Sequence, residues 1–469
     1  MDVIQKINGQ SEKRNVILLC SVFAVVLFVV KSILINKYAN ETPFWDQWDG
    51  EAAFLFLPWL EGTLKWSDLI ASHNEHRILI TRLLALSLLE LNGRVWSPIL
   101  EMRVNTVLHI SSLIILLNFL TKTLNFKNKL AIVIFMTIIF SIPFGWENTL
   151  SGFQSQFYFL LIFSFLFLWS ISMQQIFSSK WWLGLIAGIF SVLSLASGAV
   201  TLLAGIVIVV VRYLIEDEKN IKKTILVIGL LLAIGLFAIF STKHIDGHDS
   251  LKAHSVAAFL QALKVVTSWP AKSIFINGVI IYFPAILICI MIFINNKYHR
   301  PQYIFILALT VWMVAQSVIL AYGRATIPIS SRYLDLLLIG LILNFTALIA
   351  WFEMNDVNKK SKYFMQIIAV VWVVVVFQGC YERIDEVRES LVAKRRMGME
   401  QQKNVRMYLC TEDFDYLKDK PYQSIPYPNA ERLQSLLNNN SIRSILPGNI
   451  YESNLVMQSK LNTKQFCIQ

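Results

Sequence analysis

The stretch VILLCSVFAVVLFVVKSILI, residues 16–35, decides the fold class of this chain. A helix of this length is about 30 Å long, which matches the hydrocarbon core of a bilayer. The run is too long for the apolar region of a signal peptide, and no small-residue cleavage site follows it. Lys6, Lys13 and Arg14 precede the run. We therefore predict a retained first transmembrane helix with a cytoplasmic N-terminus.

The composition extends this prediction to the whole chain. Of 469 residues, 55% are hydrophobic and 16% are charged, and the mean hydropathy is +0.55. A water-soluble domain of this length would not tolerate so apolar a surface. The apolar runs are continuous and do not alternate, so they predict helices and not barrel strands. The predicted fold class is an all-α polytopic protein of the lipid bilayer.

About eleven membrane-spanning helices are predicted, and the number depends on how one segment is placed. Ile78 to Leu91 carries Arg82 and Glu90 and is too short to cross a bilayer, so we place it flat at the interface. Ala52 to Leu60 is predicted to form another short apolar helix. The predicted spans are 16–35, 98–120, 130–145, 156–175, 181–197, 198–214, 223–241, 273–294, 302–321, 333–352 and 363–380.

The distribution of basic residues predicts which loops face the cytoplasm. The net charge is +11, but the lysines and arginines lie in alternate short loops and form no compact stripe, so nucleic acid is not a predicted partner. The opposite loops, at 37–97, 145–156 and 322–333, carry the unusual polar residues and are predicted to face the periplasm. The predicted domains are a transmembrane domain, 1–380, and a polar periplasmic domain, 381–469.

Five cysteines give little information about function. Cys20 and Cys289 lie in apolar runs, and no CxxC spacing is present, so a redox motif or a metal ribbon is not supported. Cys410 has two candidate disulfide partners, Cys380 and Cys467, and the sequence leaves the choice open.

The first outer loop contains PFWDQWDGE, residues 43–51. If this segment is helical, Asp46 and Asp49 share one face, and one carboxylate could act as a general base with its pKa raised by the other. Trp45 and Trp48 could stack on a sugar or belong to an interfacial belt, and Glu51 is a candidate substrate-binding residue. The structural alternative is that an aspartate caps a helix.

Further along the same loop is HNEHR, residues 73–77. Its histidine spacing differs from the HExxH motif of zinc proteases, so no metal is assigned and a divalent cation stays an open question. Arg77 together with a histidine is a candidate contact for an anionic group. The alternative is the start of an interfacial helix whose arginine reaches the lipid headgroups. The candidate substrate-binding residues here are His73, Glu75, His76 and Arg77.

Two other outer loops supply candidate binding residues. Arg324 and Arg332 lie on the side where basic residues are disfavoured, so with Tyr333 they are candidates for binding a lipid-linked phosphate, or else they contact headgroups nonspecifically. The loop 145–156 carries side chains that suit a carbohydrate, although such turns between spans are common. Its candidate residues are Trp146, Glu147, Asn148, Gln154 and Gln156.

This arrangement resembles the GT-C superfamily of glycosyltransferases, which use polyprenyl-phosphate sugars. The stretch WDGEAAF, residues 48–54, is similar to the acidic motif of their first outer loop, where a carboxylate is the catalytic base. The layout of the whole chain resembles bacterial and phage serotype-converting glucosyltransferases, which modify O-antigen. The chain departs from the usual pair of adjacent acids, which leaves open whether Asp46 or Asp49 is the base.

The resemblance implies a reaction at the periplasmic face of a bacterial inner membrane. A sugar, such as glucose, would pass with inversion from undecaprenyl phosphate to a cell-envelope glycan or lipid-linked acceptor such as the O-antigen of lipopolysaccharide. Asp49 or Asp46 would be the base, and Arg324, Arg332 and Arg77 would hold the phosphate. No nucleotide-binding motif is present and no cofactor is implied. The alternatives are a flippase of lipid-linked sugars or a non-catalytic polysaccharide assembly protein.

Overall fold

The computed structural model describes residues 2–122, 126–216, 219–243, 245–294, 299–354 and 359–451. Within these ranges the chain is nearly all helical and divides into two compact units. Unit 1 consists of Met1–Val29, Ile110–Gly145 and Phe159–Asp385. Unit 2 consists of Val30–His109, Trp146–Tyr158 and Glu386–Gln469.

The elements follow one another in this order. The N-terminal part has α1 (Asp2–Tyr38), a π-helix (Gln47–Phe56), α2 (Leu57–Leu60), α3 (Trp66–Ile70), β1 (Ser72–His73), β2 (His76–Arg77), α4 (Leu79–Leu91), α5 (Pro98–Thr121), α6 (Phe126–Ser141), α7 (Trp146–Thr149), α8 (Ser155–Met173) and α9 (Ser179–Val192). The remainder has α10 (Gly198–Ile215), α11 (Ile221–Phe240), α12 (Val256–Ser268), α13 (Phe275–Ile294), α14 (Pro301–Gly323), α15 (Ser331–Met354), α16 (Lys359–Glu382), α17 (Ile384–Thr411), α18 (Ala430–Asn438) and α19 (Asn440–Ile445). Single 3-10 turns cover Asp246–Leu251 and Phe414–Tyr416.

Nine helices in the described ranges are long and apolar enough to cross a membrane. This agrees with the predicted polytopic membrane protein, but the predicted number of about eleven spans is not reproduced. The apolar run at 130–145 forms α6, with 16 residues, and the run at 181–197 forms α9, with 14 residues. Both helices are shorter than the roughly 17–25 residues of a typical span. The segment expected to lie at the interface forms α4, with 13 residues.

A close turn separates α9 from α10 in unit 1. A Cβ atom at Gly198 would lie 2.1 Å from the carbonyl oxygen of Ser191, so no other residue fits this approach without a backbone shift. The Ser191 hydroxyl donates to the Gly188 carbonyl at 2.7 Å and to the Gly198 carbonyl at 3.3 Å. The turn is therefore satisfied internally, which explains why the continuous apolar run 181–214 folds as two helices.

Pro284 interrupts the hydrogen bonding of α13, and two neighbouring helices compensate. A proline inside a helix disturbs the ladder around it. The amide of Ala285 donates to the Asn344 side chain on α15 at 3.1 Å. The indole of Trp372 on α16 donates to the Ile281 carbonyl at 2.9 Å. Because an apolar environment offers no other partners, these two buried side chains bind α13, α15 and α16 together.

Unit 2 has one hydrophobic core that joins the first loop to the C-terminal segment. Its buried members are Trp48, Ala52, Leu55, Phe56, Leu69, Ala85, Leu89, Trp96, Val405, Tyr408, Leu409, Leu417, Ile425, Leu433, Leu436, Leu437, Ile442, Ile445, Leu446 and Ile450. Two backbone bonds reinforce this contact, from the Trp45 amide to Pro426 at 2.8 Å and from the Trp96 amide to Ile445 at 2.7 Å. The segments 37–97 and 381–469 were predicted to belong to separate domains, whereas in the structure they contribute to one core.

Candidate active site

The first acidic segment forms a π-helix, an element in which amides donate to the fifth preceding residue. At its end the Leu57 amide donates to the Ala52 carbonyl, as this geometry requires. Short π-helical segments are rare in proteins, and those that occur are often found at functional sites. The helix buries Gln47, Gly50 and Glu51. It therefore turns polar groups inward. The short apolar helix predicted for Ala52 to Leu60 corresponds to the second half of this π-helix followed by α2.

Gly50 allows three segments of unit 2 to meet. A Cβ atom at this position would lie 2.6 Å from Cζ of Phe153 and 3.2 Å from Cε1 of His73. Both neighbours are rings, and they contact each other edge to face, with centroids 5.0 Å apart. Because a ring cannot retract as a flexible chain does, the absence of a side chain at Gly50 brings the π-helix, the β1–β2 hairpin and the loop before α8 into contact.

Asp46 and His73 form the first carboxylate–imidazole pair of this site. The carboxylate oxygen Oδ1 lies 3.6 Å from Nε2 of His73, and the side chains are 38% and 9% exposed, respectively. Asp46 immediately precedes the π-helix, yet its side chain makes no capping hydrogen bond. Nε2 of His73 has no hydrogen-bond partner among the described residues. The carboxylate is thus half open, beside a buried imidazole, and it does not serve as a helix cap.

The hairpin sets the orientation of the HNEHR residues. Ser72 pairs with Arg77, and His73 pairs with His76, in a two-stranded antiparallel ladder. Asn74 has a positive φ of 50° in the connecting turn, a conformation that asparagine tolerates. These residues therefore form a hairpin and not the helix start considered as the alternative. The Arg77 guanidinium donates to the Ile70 carbonyl at 2.8 Å.

Asp49 has different partners from Asp46. Nε and Nη2 of Arg432 donate to its Oδ1 at 3.1 and 3.0 Å, and the Tyr427 hydroxyl donates to its Oδ2. Burial, and then the hydrogen bond to Asp49, raise the pKa of Tyr427 to about 12, so the phenol stays protonated as a donor. Asp46 and Asp49 do not act as a pair on one face: Asp49 ties the π-helix to α18.

Glu51 lies in a buried polar network, 2% exposed. The Gln47 side-chain amide donates to Glu51 at 3.0 Å and to Glu101 at 2.8 Å, and the Trp96 indole donates to Glu51 at 3.0 Å. The Phe44 backbone amide donates to Oε1 of Gln47 at 3.1 Å, and this bond fixes the orientation of the Gln47 side-chain amide. Burial raises the pKa of Glu51 to about 7, although both donors oppose the shift.

This burial changes the role predicted for Glu51 and for Trp48. The Glu51 carboxylate is buried and accepts hydrogen bonds from Gln47 and Trp96, so it is not exposed for contact with a substrate. Trp48 is fully buried in the core of unit 2, with its indole donating to the Pro43 carbonyl at 2.8 Å. The predicted stacking of Trp48 on a sugar is therefore corrected to a packing role. Trp45, in contrast, is 39% exposed and has a positive φ of 54°.

The loop 145–156 contributes to the same unit from Trp146 onward. Asn148 and Gln156 are buried, while Trp146, Glu147 and Gln154 are half-buried. The Gln156 amide donates to the Phe153 carbonyl at 2.9 Å, and the carbonyl oxygens of Gln154 and Gln156 have no donor among the described residues. Two buried acceptors of this kind are suited to water or to hydroxyl groups.

Of the candidate phosphate-binding residues, Arg324 and Arg332 lie in unit 1, and Arg77 lies in unit 2. Nε of Arg324 donates to the Tyr333 hydroxyl at 3.0 Å, and both side chains are half-buried. Arg332 is exposed at the start of α15. The structure thus brings Arg324 and Tyr333 into contact with each other.

Several residues of the site carry no motif in the sequence. Arg432 and Tyr427 contact Asp49 although they lie 383 and 378 positions away in the sequence. The residues next to them in the sequence form no motif that indicates a functional site. Phe153 and Glu101 are likewise placed by tertiary contacts. Gly152 differs from these residues, because a glycine between two spans can be recognised in the sequence as a site where two segments approach closely. A Cβ there would lie 2.1 Å from Oε2 of Glu101.

In the described part of the chain, no group of three or more His, Cys, Asp or Glu side chains is arranged to hold a metal ion. Cys410 is disulfide-bonded, while Cys20, Cys289 and Cys380 are free thiols. Of the two partners considered for Cys410, Cys380 is therefore excluded, and Cys467 lies outside the described residues.

Compared with known protein families and with curated protein sequences, the chain matches none.

Proposed function

We propose that this protein is an integral-membrane glycosyltransferase that transfers a sugar from a polyprenyl phosphate to a glycan acceptor. The observation that carries the proposal is the Asp46–His73 pair, a half-exposed carboxylate 3.6 Å from a buried imidazole at the start of a π-helix. Carboxylates and imidazoles are the usual groups for proton transfer from a hydroxyl nucleophile. The exposed Trp45 ring beside the pair suits stacking against a sugar.

Asp46 is proposed as the general base in preference to Asp49. A base must be able to accept a proton, and Asp49 already accepts two hydrogen bonds from Arg432 and one from Tyr427. The Asp49 carboxylate is therefore engaged by an arginine and a tyrosine in the folded protein, and its oxygens are less available to an acceptor hydroxyl. Among the described residues, the Asp46 side chain makes no capping bond to the helix backbone and lies beside His73, which supports a functional role for it.

In the proposed reaction the acceptor hydroxyl gives its proton to the Asp46 carboxylate and its oxygen attacks the anomeric carbon of the donor. The bond from that carbon to the phosphate oxygen breaks, and polyprenyl phosphate leaves with the electron pair. Inversion follows from a single displacement. His73 positions the carboxylate and stabilises its orientation during proton transfer. Arg77, the candidate phosphate contact that lies in unit 2 with Asp46, is proposed, on the chemistry of its guanidinium group, to hold the phosphate charge.

The proposed site faces an oxidising compartment. Cys410 of α17 is disulfide-bonded, and disulfides persist mainly in secreted or periplasmic regions. Unit 2 contains both this cysteine and the Asp46–His73 pair. This supports the orientation expected from the basic loops, with the cytoplasmic N-terminus and periplasmic C-terminal segment of a bacterial inner-membrane protein.

A pair of matched variants tests the proposal. Purified protein in lipid nanodiscs is given radiolabelled glucosyl polyprenyl phosphate and a lipid-linked glycan acceptor, and transfer of label is measured. Asp46→Asn is expected to reduce the rate at least about 100-fold, the usual contribution of a general base. Asp49→Asn, the same change three residues away, keeps an acceptor oxygen for Arg432 and is expected to lose less than tenfold.

Two results would contradict this assignment. Full transfer by Asp46→Asn would remove the proposed base, and loss in Asp49→Asn alone would move the role to Asp49. If the wild-type protein transfers no label but moves the lipid-linked sugar between leaflets, the flippase alternative replaces the enzyme.

A further inference from the structure

Unit 1 contains a cavity of about 630 Å³ between the facing surfaces of α8 and α9. Its walls are mainly aromatic and aliphatic, and include Phe163, Leu166, Trp169, Leu183 and Phe190. The two helices approach most closely where Gly184 faces Ser170, since a Cβ at Gly184 would lie 2.2 Å from that side chain. The Ser170 hydroxyl also donates to the Lys180 carbonyl at 3.0 Å. Close packing at this point fixes the apolar walls of the cavity.

Two lysines line the same cavity. Lys122 follows the last residue of α5, and Lys180 is the second residue of α9. Nζ of Lys122 lies 4.4 Å from the centroid of the Trp169 ring and 5.3 Å from that of Phe119. Neither lysine forms an ion pair with an acidic side chain in the described ranges of the chain.

The two ammonium groups repel each other. Burial, and then the charge of Lys180, lower the pKa of Lys122. An anion between the two lysines would remove this repulsion and would supply the counter-charge that the described side chains do not provide. Lys122, between the predicted spans 98–120 and 130–145, and Lys180, between the predicted spans 156–175 and 181–197, lie on the side that the basic-residue pattern predicts to be cytoplasmic. Basic pockets between transmembrane helices on that side suit anionic lipid headgroups.

We infer that this cavity binds an anionic phospholipid, with its phosphate between Lys122 and Lys180 and an acyl chain along the aromatic walls formed by α8 and α9. The apolar lining excludes a small hydrophilic anion as the whole ligand, because most of the cavity would then stay unfilled. The paired lysines favour an anionic over a zwitterionic lipid. This site is independent of the proposed transfer reaction, because none of its residues belongs to unit 2.

Quenching of tryptophan fluorescence by brominated lipids measures the binding. Full-length protein in an uncharged detergent is titrated with phosphatidylglycerol or phosphatidylcholine that carries dibrominated acyl chains. Saturable quenching by the anionic lipid at a lower mole fraction is expected. The chain has 13 tryptophans, so Trp169→Phe identifies the local signal: this variant should lose the saturable component.

The lysines are tested by the double variant Lys122→Ala/Lys180→Ala. Each lysine near an anionic lipid contributes a factor of about five, so the midpoint for phosphatidylglycerol should rise roughly 25-fold. The matched control is Lys222→Ala/Lys223→Ala, two exposed lysines at the start of α11 with the same loss of charge, and it should change the midpoint less than twofold. Melting temperatures of both variants report whether folding is kept.

The inference is overturned if the two lipids quench with the same midpoint, or if the control variant weakens binding as much as the cavity variant. Soluble glycerol phosphate gives a third arm. If it displaces the brominated lipid at concentrations equal to those of the lipid itself, the site recognises a headgroup alone and the acyl-chain part of the inference fails. Unchanged quenching in Trp169→Phe would place the lipid elsewhere.

Discussion

The raised pKa of Glu51 leads to a quantitative prediction of how the stability of the protein depends on pH. The Glu51 pKa is about 7 in the folded protein against 4.5 for a free glutamate. Between these two values the folded state holds a proton that the unfolded state releases, so stability falls as pH rises through this window. The difference corresponds to about 3 kcal/mol between pH 4 and pH 8, because each pKa unit is worth about 1.4 kcal/mol.

The substitution Glu51→Gln removes this titration and keeps an oxygen that accepts from Gln47 and Trp96. Thermal unfolding is followed by tryptophan fluorescence, because Trp48 and Trp96 lie in the same core. From pH 4 to pH 8 the wild-type melting temperature should fall relative to that of the variant by roughly 6–12 °C, at about 2–4 °C per kcal/mol for a region of this size.

The slope with pH is compared, and not the absolute melting temperature, because the new amide also changes the hydrogen bonds of the network. The matched control is Glu61→Gln, an exposed glutamate just beyond α2, which should leave the wild-type slope unchanged. Glu101, which is also buried, accepts from the same Gln47 side chain and titrates in both proteins. If Glu51→Gln has the same slope as the wild-type protein, the raised pKa of Glu51 does not contribute to the pH dependence of stability and the reasoning is refuted.

Three further variants test the packing of unit 2. Trp48→Ala should destabilise the protein by about 3–5 kcal/mol, measured as a lower melting temperature, and a change below about 1 kcal/mol would contradict its place in the core. Gly50→Ala should cost about 1–3 kcal/mol, because its Cβ would lie 2.6 Å from Phe153; an unchanged melting temperature would show that the ring moves freely. A double-mutant cycle with Asp49→Asn and Arg432→Ala should give a coupling energy of about 1 kcal/mol, and additive effects would mean that this partly exposed pair does not tie the π-helix to α18.

Local patterns predicted the helices well and their lengths less well. Apolar runs such as 16–35 and 98–120 correspond to long helices, because a continuous run of this kind needs no tertiary information to be helical in lipid. The runs at 130–145 and 181–197 form shorter helices, since a contact such as Gly198 against Ser191 ends a helix without any break in hydropathy. The π-helix at 47–56 could not be predicted from the sequence either, because its hydrogen bonding depends on buried partners.

The candidate site was predicted in part for the same reason. Asp46 and His73 were singled out from their polar surroundings in an apolar chain, and the structure places them 3.6 Å apart. Their roles could not be separated from that of Asp49, since the distinction depends on Arg432 and Tyr427, which follow some 380 residues later.

The sequence by itself determined that this is a multi-pass helical membrane protein, because the cost of exposing backbone polar groups in lipid leaves a long apolar run only one structure. It also determined which loops carry ionisable residues. Tertiary structure decided what each of them does. The carboxylate of Asp49 binds Arg432, that of Glu51 is buried against Gln47 and Trp96, and that of Asp46 is partly exposed. Three acids within six positions of sequence differ in this way because burial and hydrogen-bond partners, supplied by distant segments, set the chemistry of a carboxylate.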